Sequence, residues 1–161
     1  MKELGIYIHI PFCKRKCAYC DFISFSDKTK LIEKYVLVLE KEIDKCNINK
    51  DSYKIKTIYF GGGTPSFIES KYIVEILESV KRKINISKTA EITIEINPGT
   101  ITEEKLKDYY NAGINRISFG LQSTNSELLK LVERIHSYSS FLEGYKLARK
   151  VGFKNINVDL M

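Results

Sequence analysis

The feature that most constrains this chain is a recurring unit, an alternating apolar segment followed by a stretch with helical spacing. Leu4 to Ile10 reads as a strand, and Thr29 to Cys46 then carries apolar residues at Leu31, Ile32, Tyr35, Val36, Leu39 and Ile43, one stripe of a helix. Ile55 to Phe60 is a second strand, followed by the helical series Ile73, Ile76, Leu77, Val80. Glu91 to Ile96 is a third. Thr102, with Glu103 and Glu104 in the first turn where the helix dipole favours acids, opens a helix that Gly113 closes. Asn115 to Phe119 and Asn155 to Leu160 are the fourth and fifth strands, separated by helical stretches around Glu127 to Val132 and Ser139 to Lys150. Repeated strand-helix units predict parallel strands, because a parallel pair needs a long crossover, usually a helix.

Such a sheet is either open and doubly wound or curved into a barrel. A parallel strand sandwiched between two helical layers should be apolar on both faces. Here Ile6, Ile8 and Ile10 oppose Tyr7 and His9, while Ile92, Ile94 and Ile96 oppose Thr93, Glu95 and Asn97. Ile156, Val158 and Leu160 likewise oppose Asn157 and Asp159. Three strands with one polar face predict that this face lines a ligand cavity, as in a barrel or curved half-barrel. The second strand alternates less cleanly. The expected fold is α/β, a partial parallel (β/α) barrel truncated after its fifth strand. Because the sequence stops at Asp159-Leu160-Met161 with that edge uncovered, residues 1–161 read as one incomplete domain of a longer protein.

Composition removes several classes. With 161 residues, 43% of them hydrophobic, the chain can bury a core. It has no N-terminal leader pattern and no apolar run near the roughly 18 to 20 residues that span a bilayer, so no membrane span and a cytoplasmic location are expected. The net charge of +6 is spread over helix-like stretches such as Lys28 to Lys45 and Lys81 to Lys88, without interleaved aromatics. That is the pattern of solvated helix faces rather than of a nucleic-acid surface, and no nucleic-acid partner is expected.

Cys13, Cys17 and Cys20 set three thiols within eight positions after the first strand. A disulfide framework needs a secretory signal and a short, loop-rich chain, which this is not. Soft thiolates so spaced select zinc or an iron-sulfur cluster. Structural zinc wants a fourth ligand, and His9, Asp21 and Cys46 all lie outside the usual finger spacings. A 4Fe-4S cluster on three cysteines would leave one iron open to a small ligand, and Lys14, Arg15 and Lys16 would offset its negative charge. Cys46 reads as incidental.

Gly61-Gly62-Gly63-Thr64-Pro65 follows the second strand, where backbone amides can approach a ligand unobstructed. It is neither a dinucleotide fingerprint, since Ser66 holds the third glycine position, nor a phosphate loop, since no Gly-Lys-Ser/Thr follows. Glu95, Gln122 and Asp159 fall at or just past the C-terminal ends of strands on the polar face, where binding groups collect in parallel barrels. Arg134 is placed to meet a carboxylate. His9 and His136 lack partners at ligand spacing and read as structural.

These residues also resemble a known family. Tyr7 to Cys13, the Cys-x3-Cys-x2-Cys spacing with Tyr19 before the last cysteine, Gly61 to Pro65, Glu95 to Gly99, Asn115 to Ser123, Arg134 to His136 and Asn155 to Met161 resemble radical S-adenosylmethionine proteins of the oxygen-independent coproporphyrinogen III dehydrogenase (oxidase) group, most of all its heme chaperone branch. The resemblance runs from Leu4 to the last residue. It implies that Cys13, Cys17 and Cys20 hold a 4Fe-4S cluster whose open iron takes S-adenosylmethionine. It also implies that Gly62, Gly63 and Thr64 contact the methionine part, with Tyr7, Tyr19, Glu95, Gln122, Arg134 and Asp159 around the rest. In such proteins the reduced cluster cleaves the sulfonium to methionine and a 5'-deoxyadenosyl radical.

The dehydrogenases of the group follow their third cysteine with Cys-x-Cys, whereas here Phe22 holds the second of those positions. The resemblance therefore implies heme binding and delivery to acceptor proteins. Oxidative decarboxylation of coproporphyrinogen III is the alternative, and an inactive fragment a further one. The expected partners are heme or a porphyrinogen, a flavodoxin- or ferredoxin-like electron donor and heme acceptors. Heme or substrate determinants are expected beyond residue 161.

Overall fold

The computed structural model describes residues 2–49 and 52–161. Five strands, β1 (Lys2–Ile10), β2 (Tyr53–Gly62), β3 (Ile86–Ile96), β4 (Arg116–Gln122) and β5 (Asn155–Leu160), form one sheet in the order β1-β2-β3-β4-β5, every neighbouring pair parallel. The crossovers carry α1 (Ile32–Lys45), α2 (Ser70–Lys83), α3 (Glu103–Asn111), and α4 (Ser126–Leu131) with α5 (Tyr138–Val151). Strictly sequential strand order with crossovers of one hand puts every helix on the same side of the sheet. A doubly wound sheet needs a reversal in strand order, and there is none. The sheet is not closed, as expected of a partial barrel.

The two faces differ as the alternation predicts. Ile8, Ile10, Ile58, Phe60, Ile94, Ile96, Ile117 and Phe119 are buried, forming a core with Val36 of α1, Ile73, Ile76 and Leu77 of α2, Leu106 and Tyr109 of α3 and Phe141 of α5. On the other face the register aligns Tyr7, Tyr59, Thr93, Arg116 and Asn155 in one row across all five strands. One step toward the strand ends, Glu95, Ser118 and Asn157 form a second row, and Gly120 pairs with Asp159 beyond it.

The blurred alternation of β2 has a local cause. Leu4 pairs with Ile55 but Gly5 pairs with Thr57, so Lys56 is an extra residue that resets the side-chain phase. β3 starts at Ile86, five residues before the predicted Glu91, because the polar run Ser87-Lys88-Thr89 hides it from a hydrophobic reading. β4 continues past Phe119 to Gln122, which adopts φ 67°, an uncommon left-handed conformation for a residue with a side chain. Thr102 caps α3 by accepting from the Lys105 amide at 3.2 Å, and Gly113 takes φ 92° after it.

Candidate functional site

The C-terminal ends of the strands enclose a cavity of about 310 Å³, at the low end of the roughly 300–1,000 Å³ range of small-molecule sites. Of the residues singled out in the sequence, Tyr19, Cys20, Gly62, Gly63, Thr64, Glu95, Gln122, Arg134 and Asp159 line it. So does Phe22, 66% exposed. Cys13, Cys17 and Tyr7 are not part of that lining; Cys17 instead faces a small adjoining pocket that shares Thr64, Asn97 and Arg134 with it.

The cysteine loop, Pro11 to Lys28, has no helix or strand of its own, yet its base is tied. Phe12 bridges Phe25, the Cys13 amide donates to the Phe25 carbonyl at 3.0 Å, and Phe25 donates back to Pro11 at 2.8 Å. His9 contacts the Ile23 carbonyl through Nε2 at 2.8 Å, which gives it the structural role expected. All four cysteines are unbridged. Cys46 ends α1 as an exposed thiol.

The glycine turn is stitched to that loop. The Gly63 amide donates to Ile10 O at 2.9 Å and the Thr64 amide to Phe12 O at 2.8 Å, so parallel pairing of β1 with β2 continues past both strands. A Cβ on Gly63 would stand 2.9 Å from Cys13 Sγ and 2.8 Å from Phe12 O, which no side chain tolerates. Gly62 takes φ 117°, where a side chain is strained, and a Cβ there would strike the His9 ring. Thr64 Oγ1 points at Cys13 Sγ at 3.5 Å and accepts from Asn97 Nδ2 at 3.1 Å.

Opposite this wall lie two carboxylates. Glu95 accepts from Tyr59 Oη at 2.7 Å, and burial pushes its pKa above the usual carboxylate value against the lowering effects of Tyr59 and the Gly62 amide. Burial and then the Glu95 carboxylate push the Tyr59 hydroxyl far up. Asp159 accepts from Ser118 Oγ at 3.0 Å and from Asn157 Nδ2 at 2.8 Å, and Asn157 also donates to Ser118 at 3.0 Å. Tyr7 stacks on Tyr59 with ring centroids 6.1 Å apart, so it supports the tyrosine that orients Glu95.

Arg134 bridges the two halves. Its Nη2 donates to Asn97 Oδ1 and Gly120 O, and its Nη1 approaches Cys17 Sγ at 3.6 Å and Tyr19 Oη at 3.5 Å. Its Nε is buried without a protein partner. Arg134, expected to meet a carboxylate, has both terminal nitrogens on protein groups. His136 meets the Leu121 carbonyl at 3.0 Å, and burial followed by the Arg134 charge lowers its basicity. Five cavity residues were not singled out as site residues from the sequence: Tyr59, Ile96, Asn97, Ser118 and Gly120. Ile96 and Asn97 sit in the Glu95 to Gly99 segment and Ser118 and Gly120 in the Asn115 to Ser123 segment, both parts of the resemblance, whereas Tyr59 is revealed only by strand register.

Residues 7–161 match the family model described as "Radical SAM superfamily". The chain belongs to that superfamily. It is 42% identical over 162 residues to a heme chaperone HemW of Buchnera aphidicola subsp. Schizaphis graminum, and 40% identical over 162 residues to heme chaperone HemW of Escherichia coli. Each alignment covers 100% of this chain and 43% of the relative, so the chain spans less than half the length of these proteins. Among solved structures, coproporphyrinogen III oxidase (HemN) from Escherichia coli, titled as a radical SAM enzyme, superposes with a TM-score of 0.87 at 28% identity. That match covers 97% of this chain and 36% of the other.

Radical SAM membership implies a 4Fe-4S cluster and S-adenosylmethionine, and the residues present fit both. Three unbridged thiols share one loop with Cys20 open to the cavity, Gly63 leaves Cys13 the space a side chain would fill, and a buried arginine nitrogen lacks a partner. Among the described residues no three His, Cys, Asp or Glu side chains converge on a single ion, a convergence that ligands to separate irons do not need. No helix among them is long and apolar enough to cross a membrane.

Proposed function

We propose that this chain is the cluster-bearing part of a heme chaperone, a cytoplasmic protein that binds heme and delivers it to acceptor proteins. The observation that carries this reading is Phe22. It stands two residues past Cys20, exposed against the cavity, where the porphyrinogen-oxidising members of the group carry another cysteine. The 42% and 40% identities to proteins named as heme chaperones support it.

In this reading Cys13, Cys17 and Cys20 hold a 4Fe-4S cluster, which when bound and reduced supplies the electron that cleaves S-adenosylmethionine. Around it the chain's own groups do four things. Thr64 and Arg134 direct an O–H and an N–H at the sulfurs of Cys13 and Cys17, which steadies negative charge there. Gly62, Gly63 and Thr64 let backbone close on the methionine part. Glu95, Gln122 and Asp159, the two carboxylates oriented by Tyr59 and by Ser118 with Asn157, accept from ammonium and hydroxyl groups of the ligand. Tyr19 and Phe22 wall the cavity and reduce water access. A flavodoxin- or ferredoxin-like donor would supply the electron.

Anaerobic reconstitution tests the cluster: about four irons per chain are expected, and Cys17→Ser abolishes uptake. Stoichiometric zinc without a brown chromophore would refute it. Heme titration of the protein at the full length of its relatives tests the chaperone reading, which fails if no heme binds. The 0.87 superposition on a coproporphyrinogen III oxidase favours a second reading, and protoporphyrinogen formed anaerobically with reductant and S-adenosylmethionine would establish that one instead.

A further inference from the structure

Lys105 breaks the local rules of its helix. It occupies the third position after the Thr102 cap of α3, where a capping box places Glu or Gln and where the positive end of the helix disfavours a cation. It is also partly buried, and that burial lowers its basicity, opposed by the nearby Glu69 carboxylate. A position that costs stability on two counts calls for a compensating role.

Its three donors are all used on main chain. Nζ donates to Ser66 O at 2.9 Å, Ile68 O at 2.8 Å and Thr100 O at 3.3 Å. Ser66 lies within the short 3-10 turn Pro65–Phe67 that continues the glycine turn and Ile68 follows it directly, while Thr100 belongs to the turn after β3. The ammonium thus fastens two separate loops from below. Hydroxyls continue the join: fully buried Ser66 Oγ accepts from the Asn97 amide at 3.1 Å and lies 2.6 Å from Thr100 Oγ1, which bonds the Asn97 carbonyl at 2.7 Å. From Asn97 the side chain reaches Thr64 Oγ1 on one side and Arg134 on the other, and those two residues meet Cys13 and Cys17. Every link is one hydrogen bond long.

We infer that Lys105 is a positioning residue for the S-adenosylmethionine site, its ammonium locking the glycine turn to the Asn97–Thr100 turn so that Asn97 holds Thr64 and Arg134 at the cluster cysteines. The inference rests on the radical SAM reading of the cavity for its functional half and on geometry alone for its structural half. The two halves call for different measurements.

Hydrogen-deuterium exchange of the protein before any reconstitution reads the structural half. Lys105→Met, which keeps the aliphatic stem, should speed exchange in peptides covering both 61–68 and 96–101, while Lys105→Arg should restore protection. Equilibrium binding of S-adenosylmethionine to the reconstituted protein reads the functional half. Lys105→Met should weaken it about tenfold, the size of one lost charge-assisted hydrogen bond, and alter the electron paramagnetic resonance signal of the S-adenosylmethionine complex. Thr100→Val cuts the same join from the opposite loop without touching the lysine, and should shift affinity in the same direction. A Lys105→Met protein that melts earlier yet binds with unchanged affinity and signal would overturn the positioning role, as would unchanged exchange in both loops. Failure of the unsubstituted, cluster-loaded protein to bind S-adenosylmethionine would sink the reading of the cavity itself, whatever the exchange shows.

Discussion

Gly63→Ala is the most direct test of how the cysteine loop and the glycine turn depend on each other. The new methyl would sit 2.8 Å from Phe12 O and 2.9 Å from Cys13 Sγ, both inside the distances real Cβ atoms keep. Neither neighbour can retreat freely. Phe12 O already accepts from the Thr64 amide at 2.8 Å, and Cys13 is 6% exposed, its amide fixed to Phe25. Relief therefore means losing the Thr64–Phe12 bond, worth about 1 kcal/mol, or displacing packed atoms, which costs about 1–3 kcal/mol. At roughly 2–4 °C per kcal/mol for a domain of this size, the metal-free protein should melt roughly 2–12 °C lower. Iron content after reconstitution should fall more steeply, because any shift at Cys13 moves a cluster ligand. Gly113→Ala serves as the control: its φ of 92° strains any side chain, yet the new methyl meets only Lys81 Nζ at 4.0 Å, far from the cysteine loop, so it should lower the melting temperature while leaving iron uptake intact. A Gly63→Ala protein with an unchanged melt and full iron would refute the stitched-loop reasoning.

Two further outcomes follow from groups held in unfavourable surroundings. Tyr109 is fully buried and its hydroxyl lacks a partner, so Tyr109→Phe should stabilise the fold by about 1 kcal/mol, read as a rise of a few degrees in a thermal melt; a fall would show that the hydroxyl is satisfied. Glu95 has its pKa raised by burial, so the folded state holds the proton more tightly than the unfolded chain. The stability this contributes is complete below the ordinary glutamate range and is lost as pH rises through the raised value. Glu95→Gln, which still accepts from Tyr59 and the Gly62 amide, should therefore melt higher than the parent at neutral pH. The gain should vanish below about pH 4.3, the unperturbed glutamate value, and a gain independent of pH would refute the assignment.

Most of the fold was legible because it is written in periodicity. Apolar residues at alternate positions, the isoleucines of β1 and β3 and Ile156 with Val158 in β5, face the helices, and Glu95, Asn97 and Asp159 on the opposite face line the cavity. What escaped was structure that periodicity does not encode. Lys56 inserts one residue into β2 and scrambles its phase, and Gly120, with no side chain to continue the pattern, hides the last turns of β4. In the site, the cysteines were legible from spacing, and Glu95, Gln122 and Asp159 from their place at strand ends. Ser118 was not, because its role exists only once the register sets it between Glu95 and Asn157. Lys105 was hidden for the opposite reason. In the run Glu103-Glu104-Lys105-Leu106-Lys107 it looks like any solvated helix charge, and only the carbonyls above it give it a task.

The same hydrogen bonds divide the site into two mechanical parts. Cys13, Gly63 and Thr64 are joined by the β1–β2 pairing that runs on past the strands, and Asn97 ties them to β3, all above strands whose inner residues are buried. Asp159 stands instead on β5, at the edge of the sheet, where Ile156 and Val158 are only partly covered and Leu160 is exposed. Its carboxylate is oriented by Ser118 and by Asn157 of its own strand. The cluster side thus takes its placement from the β1–β2 pairing, and the Asp159 side from the β4–β5 pairing. Arg134 links them, contacting Gly120 beside Asp159 and Cys17 in the cysteine loop. A ligand that engages both parts therefore bridges groups placed by the β1–β2 pairing and groups placed by the β4–β5 pairing, with Arg134 between them.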